Sequence, residues 1–84
     1  MRLEIGMIVK TSYQTGPFRI EHITRDCNCS YSPGEKPLPK HTHLVCSREY
    51  VYREYYLNYY DEDTLKSVRN DDHLILCENT TPVQ

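Results

Sequence analysis

Cys27-Asn28-Cys29-Ser30-Tyr31-Ser32-Pro33-Gly34-Glu35-Lys36-Pro37-Leu38-Pro39-Lys40-His41-Thr42-His43-Leu44-Val45-Cys46 holds three of the chain's four cysteines and two of its four histidines. On an extended chain, residues two apart point to the same side. Cys27 and Cys29 form one such pair, and His41 and His43 form another. Thiolate sulfur and imidazole nitrogen are the ligands of tetrahedral zinc. The stretch therefore predicts a structural Zn²⁺ site that ties two strands together across a loop.

Five candidates compete for about four positions. One set is Cys27, Cys29, His43 and Cys46, with the His-x-x-Cys spacing of a knuckle. The other is Cys27, Cys29, His41 and His43. On a regular strand His43 and Cys46 face opposite ways, so the first set needs an irregular backbone. Pro37 and Pro39 supply a reason for one. The thiolate-rich set is favoured, with His41 supporting a ligand from behind or replacing one. Cys77 stands in reserve. The simpler alternative makes Cys46 a buried strand residue and the others loop residues. A Cys27–Cys29 disulfide would be strained.

A chain of 84 residues makes one domain, 1–84, with a core over about 5–78 and a polar tail over 79–84. Hydrophobic residues are 38% of it and tryptophan is absent, so the core is thin. A metal staple is the usual remedy. The net charge of −2 argues against binding to nucleic acid by charge alone. The opening residues read as neither a signal peptide nor a membrane span, and the expected location is cytoplasmic.

The order of elements is all-β. Ile5 to Thr11 reads as a first strand, and Gly16-Pro17 marks the turn after it. A second strand runs from Phe18 to about Cys27. Phe18 and Ile20 alternate, but Ile23 breaks parity, which predicts a bulge near Glu21-His22. His22 is expected at the surface. The segment 28–40 is a proline-bearing loop. A third strand covers His41 to Ser47, and a fourth covers roughly Tyr52 to Tyr59. Asp61 to Thr64 cap a short helical turn over Thr64 to Val68. His73 to Cys77 form the last strand.

This order, with Gly6-Met7-Ile8-Val9-Lys10 and Gly16-Pro17-Phe18-Arg19-Ile20 as its first hairpin, resembles a small five-stranded SH3-like barrel of the Tudor or KOW type. Such barrels place one helical turn before the last strand. Together with Cys27-x-Cys29 and His41-x-His43-x-x-Cys46, the set also resembles small uncharacterised proteins of phages and mobile elements. The resemblance implies a barrel carrying a zinc-binding insertion, and brings no activity with it.

Six of the eight tyrosines lie between Tyr50 and Tyr60. In the fourth strand Val51, Tyr55 and Leu57 share the inward parity. Tyr52, Glu54, Tyr56, Asn58 and Tyr60 share the outward one. The expected binding face is Tyr52, Tyr56 and Tyr60 with Glu54. It suits a protein or peptide partner, since tyrosine is frequent at interface hot spots. The alternative is stacking of single-stranded nucleic acid helped by Arg48 and Arg53. The simplest reading is that the tyrosines cover a thin barrel. No Ser/His/Asp arrangement or phosphate loop is present, so no enzyme is expected. A zinc hydrolase with Glu35 or Glu49 as base is the remote third reading.

Overall fold

The computed structural model describes residues 3–48 and 51–77, with the backbone alone for Val51 and Tyr52. Five strands are present: β1 (Ile8–Thr11), β2 (Phe18–Cys27), β3 (His41–Arg48), β4 (Val51–Tyr60) and β5 (Leu74–Leu76). They form one antiparallel sheet in the order β4-β3-β2-β1-β5. β1 starts later than the sequence implies because the chain turns at Gly6, whose φ is 97°. Pairing still reaches back there: Gly6 N–H donates to Ile20 O, and Ile20 N–H to Met7 O.

The inner face of the sheet carries Val9, Phe18, Ile20, Leu44, Cys46 and Leu74, joined by Tyr60 and by Leu3 from outside the strands. Leu3 is fixed by an ion pair. Arg25 Nε bonds Glu62 Oε1 at 2.8 Å, its Nη2 donates to Leu3 O at 2.7 Å, and Leu3 N–H donates to Glu62 Oε2 at 2.7 Å. Three groups thus satisfy one another where the chain enters the core. Gly16, at φ 119°, lies so close to Val9 O that a Cβ would sit 3.2 Å from it, which explains a glycine at that turn.

Of the four register shifts along β2–β3 and β3–β4, three decide which side chains of the site and core face where. The first lies between Ile20 and His22, at the place the broken parity implies, and leaves His22 exposed. The second lies between Thr24 and Cys27, where Asp26 takes φ 59°. Thr24 pairs with His43 and Cys27 with His41. Three residues of β2 therefore match two of β3, and Cys27 moves onto the face that carries both histidines. The third lies between the Thr42–Tyr60 and Leu44–Leu57 pairs, where Tyr59 takes φ 71°. It turns Tyr60 inward.

Two expectations need correction. The sheet is not closed into a barrel: β4 and β5 do not pair, and Lys66–Ser67 makes single bridges to Tyr60 on one side and His73 on the other. The helical turn over Thr64 to Val68 is also absent, and no helix occurs among the described residues. Asp61 Oδ1 does accept from the N–H groups of Asp63 and Thr64, as a cap does. Leu65 then takes φ 63°, which stops the turn and returns the chain to bridge geometry. The polar tail, with Glu49 and Tyr50, lies outside the described residues.

Candidate metal centre

β3 is regular along its length, and its alternation sets the first half of the site. Thr42, Leu44 and Cys46 are buried on the inner face, while His43 and Val45 are half-buried on the other. His41 shares the face of His43 and is itself buried. β2 supplies Cys27 at its last residue, directly opposite His41, and Cys29 follows two residues on. The ligand atoms of Cys27, Cys29, His41 and His43 all lie within 4.8 Å of one another. These four are positioned to hold a metal ion.

The nitrogen geometry is specific. Cys29 Sγ lies 3.4 Å from His41 Nε2 and 3.4 Å from His43 Nε2, and the two Nε2 atoms lie 3.1 Å apart. The far side of each ring is engaged. His41 Nδ1 lies 2.7 Å from Pro39 O, and His43 Nδ1 lies 2.9 Å from Asn58 Oδ1. A backbone carbonyl only accepts, so His41 Nδ1 carries the proton. A neutral ring with Nδ1–H so engaged keeps its lone pair on Nε2. Two such lone pairs at this separation repel unless positive charge lies between them.

Desolvation first, then a hydrogen bond and the charge of Cys27, push the Cys29 thiol up. A bound cation would reverse this shift by favouring the thiolate. The ring of Tyr59 covers the histidines, at 5.2 Å from His41 and 5.3 Å from His43 between centroids.

Cys46, favoured in the sequence as the fourth ligand, lies elsewhere. Its side chain is in the core, fully buried, and it is not one of the four converging groups. Burial first, with the charge of Glu21, pushes its thiol up to about 12. The knuckle set needed an irregular β3, and the irregularity is in β2 and β4 instead. His41 is a member of the group rather than its support. Cys77, half-buried just beyond β5, does not join it. All four cysteines are free thiols.

The tyrosine face also differs from expectation. Tyr56 is exposed, and its hydroxyl donates to Glu54. Tyr60 is buried, and its hydroxyl donates to Asp72, so it belongs to the core. The side chain of Tyr52 lies outside the described residues. Sequence reasoning missed the supporting roles of Pro39, Asn58 and Tyr59. For Asn58 a signal existed: its parity in β4 matches that of His43 across the ladder. In comparisons with known proteins, no family model, no curated protein and no solved structure matches this chain. Among the described residues no helix is long and apolar enough to cross a membrane.

Proposed function

We propose that this chain is a zinc-stapled β module that captures a protein or peptide partner. The observation that carries the metal half is the pair of oriented histidines. Both present Nε2 inward because Pro39 O and Asn58 Oδ1 hold their Nδ1 sides. Zinc fits the donor set, and it fits the spacing of Cys29 with the two histidines. Zn–N bonds of about 2.05 Å and Zn–S bonds of about 2.3 Å in a tetrahedron give N···N edges of about 3.3 Å and S···N edges of about 3.6 Å. The corresponding separations here are 3.1 Å and 3.4 Å. Two thiolates with two imidazoles favour zinc over hard cations.

Four protein ligands fill a tetrahedral sphere, which favours a structural role over a hydrolytic one. The metal joins the end of β2 to the start of β3 and closes the loop 28–40 at its base. In a chain with so small a core, that closure contributes folding free energy. A partner role is favoured by the exposed rings of Tyr13 and Tyr56, which line one groove.

Plasma emission on purified protein tests the metal half. One zinc per chain is expected, together with a melting temperature that falls on adding a strong chelator. A metal-free chain that melts unchanged in chelator defeats the reading.

A further inference from the structure

Beside the metal centre runs a groove of about 220 Å³, lined by Tyr13, Tyr56, Tyr59, Arg69, Asn70 and Asp72 with their neighbours. Arg69 is the only cation among its described lining residues, and Asp72 the only acid. Their states differ. Asp72 accepts from Ser12 N–H, the Ser12 hydroxyl, His73 N–H and the Tyr60 hydroxyl. Its carboxylate is fully engaged and buried. Arg69 is exposed, and among the described residues its guanidinium N–H donors have no hydrogen-bond or ion-pair partner.

Arg69 is nevertheless held. Its guanidinium carbon lies 3.6 Å from the centroid of the Tyr31 ring, and Tyr31 meets Tyr59 edge-on at 6.2 Å. Tyr31 belongs to the loop that the metal closes, and Tyr59 packs on both histidines. The cation is thus stacked by one face on the metal-clasped wall while its donor edge stays available. A planar fork held in this way is suited to a carboxylate, which it binds through two parallel hydrogen bonds.

We infer that this groove is the partner site and that it receives a peptide segment with an acidic side chain flanked by apolar residues, the carboxylate on Arg69 and the apolar groups against Tyr13, Tyr56 and Tyr59. The inference rests on the partner-capturing half of the reading above. Charge complementarity selects the occupant. One unengaged cation matches one carboxylate. A nucleic-acid strand brings a charge with every nucleotide, and it would meet a chain of net charge −2 in which the lining residue Tyr56 is itself hydrogen-bonded to the carboxylate of Glu54. Tyrosine rings supply flat contact area at low entropic cost to a short peptide.

The test is a nuclear magnetic resonance titration of the ¹⁵N-labelled, zinc-loaded full chain with two capped peptides, Ac-Leu-Glu-Leu-NH₂ and Ac-Leu-Gln-Leu-NH₂. The glutamate peptide is expected to shift the amides of Tyr59, Arg69 and Asn70, and to bind about tenfold or more tighter than its glutamine twin. Arg69→Gln should erase the difference, and Arg69→Lys should reduce it, with zinc content unchanged. Equal affinity of the two peptides, shifts confined to other residues, or tighter binding of oligothymidylate at the same ionic strength overturns the inference. Zinc is measured on the same samples. Bound zinc without a glutamate preference defeats the groove alone, and a glutamate preference without zinc supports the groove and defeats the metal.

Discussion

His43 Nδ1 lies 2.9 Å from Asn58 Oδ1, so the strand that carries the tyrosines also orients the ring of a candidate metal ligand. Partners of this kind fix ring orientation and raise ligand basicity. Replacing Asn58 by leucine removes the acceptor without touching a ligand. Metal affinity should fall about 10–100-fold, measured by competition with a chromogenic chelator. Asn58→Asp, which keeps an acceptor, should recover most of the loss. Equal affinity in all three proteins would mean that the ring is oriented by packing alone.

The cysteines divide into two classes. Cys29→Ser should abolish metal retention, since a hydroxyl is a poor ligand for a soft site. Cys46→Ser should leave the metal bound and lower stability by about 1–3 kcal/mol, because it sets a hydroxyl in an apolar core. Metal content and urea melts on the two variants separate these outcomes. Metal loss from Cys46→Ser would reinstate the thiolate-rich ligand set.

Acid should attack the fold at Asp72. Burial disfavours its ionised form most strongly, but the hydrogen bonds from Ser12, Tyr60 and His73 together outweigh burial and hold the carboxyl below its ordinary value. A carboxyl depressed in the folded state contributes stability above its ordinary value of about 3.8, and that contribution is lost as pH falls through the folded value. Asp72→Asn should therefore be less stable than the parent at neutral pH and lose less on acidification below that range. Release of a bound metal in acid would affect both proteins alike, so the difference between their stability curves isolates the carboxyl. Parallel curves would refute the assignment.

Chelation should act locally before it acts globally. Near the base of the loop 28–40, Leu38 N–H donates to Cys29 O at 3.2 Å, and within it Glu35 N–H donates to Ser32 O at 3.2 Å. With so little backbone pairing, a metal bound by the cluster would be the main restraint on this segment. Hydrogen exchange followed by mass spectrometry should show its amides accelerating in chelator well before those of Ile20 and Leu44 at the centre of the sheet. Acceleration of the whole sheet together would indicate that the metal staples the entire domain.

Much of the sheet was legible from alternation. In β3 the apolar positions Leu44 and Cys46 share a parity, and that same alternation argued against Cys46 as a partner of His43. The bulge at Glu21 was legible because it falls between two apolar residues, Ile20 and Ile23, whose spacing is wrong for a strand. The bulge at Asp26 was not. Thr24, Arg25 and Asp26 are all polar, so no apolar marker records the change of face. Tyr59 hid a reversal for a related reason: Tyr55, Tyr56, Tyr59 and Tyr60 occupy both parities, so a shift by one residue leaves the pattern looking the same. The caps of Asp61 are readable, but nothing in Leu65 announces a left-handed residue, so the sequence reads as the start of a helix where the chain makes one turn.

The extra residue at Arg25–Asp26 makes the chain unequally tolerant of changes in length. Between Ser30 and Leu38 residues can be added or lost while both ends of the loop keep their places, since lengthening a closed loop costs little. Between Thr24 and Cys27 the loss of a single residue would swing Cys27 to the opposite side of the sheet and halve the thiolate complement of the cluster. Related chains that keep this metal centre should therefore differ freely in the spacing from Cys29 to His41, and hardly at all in the three residues that precede Cys27.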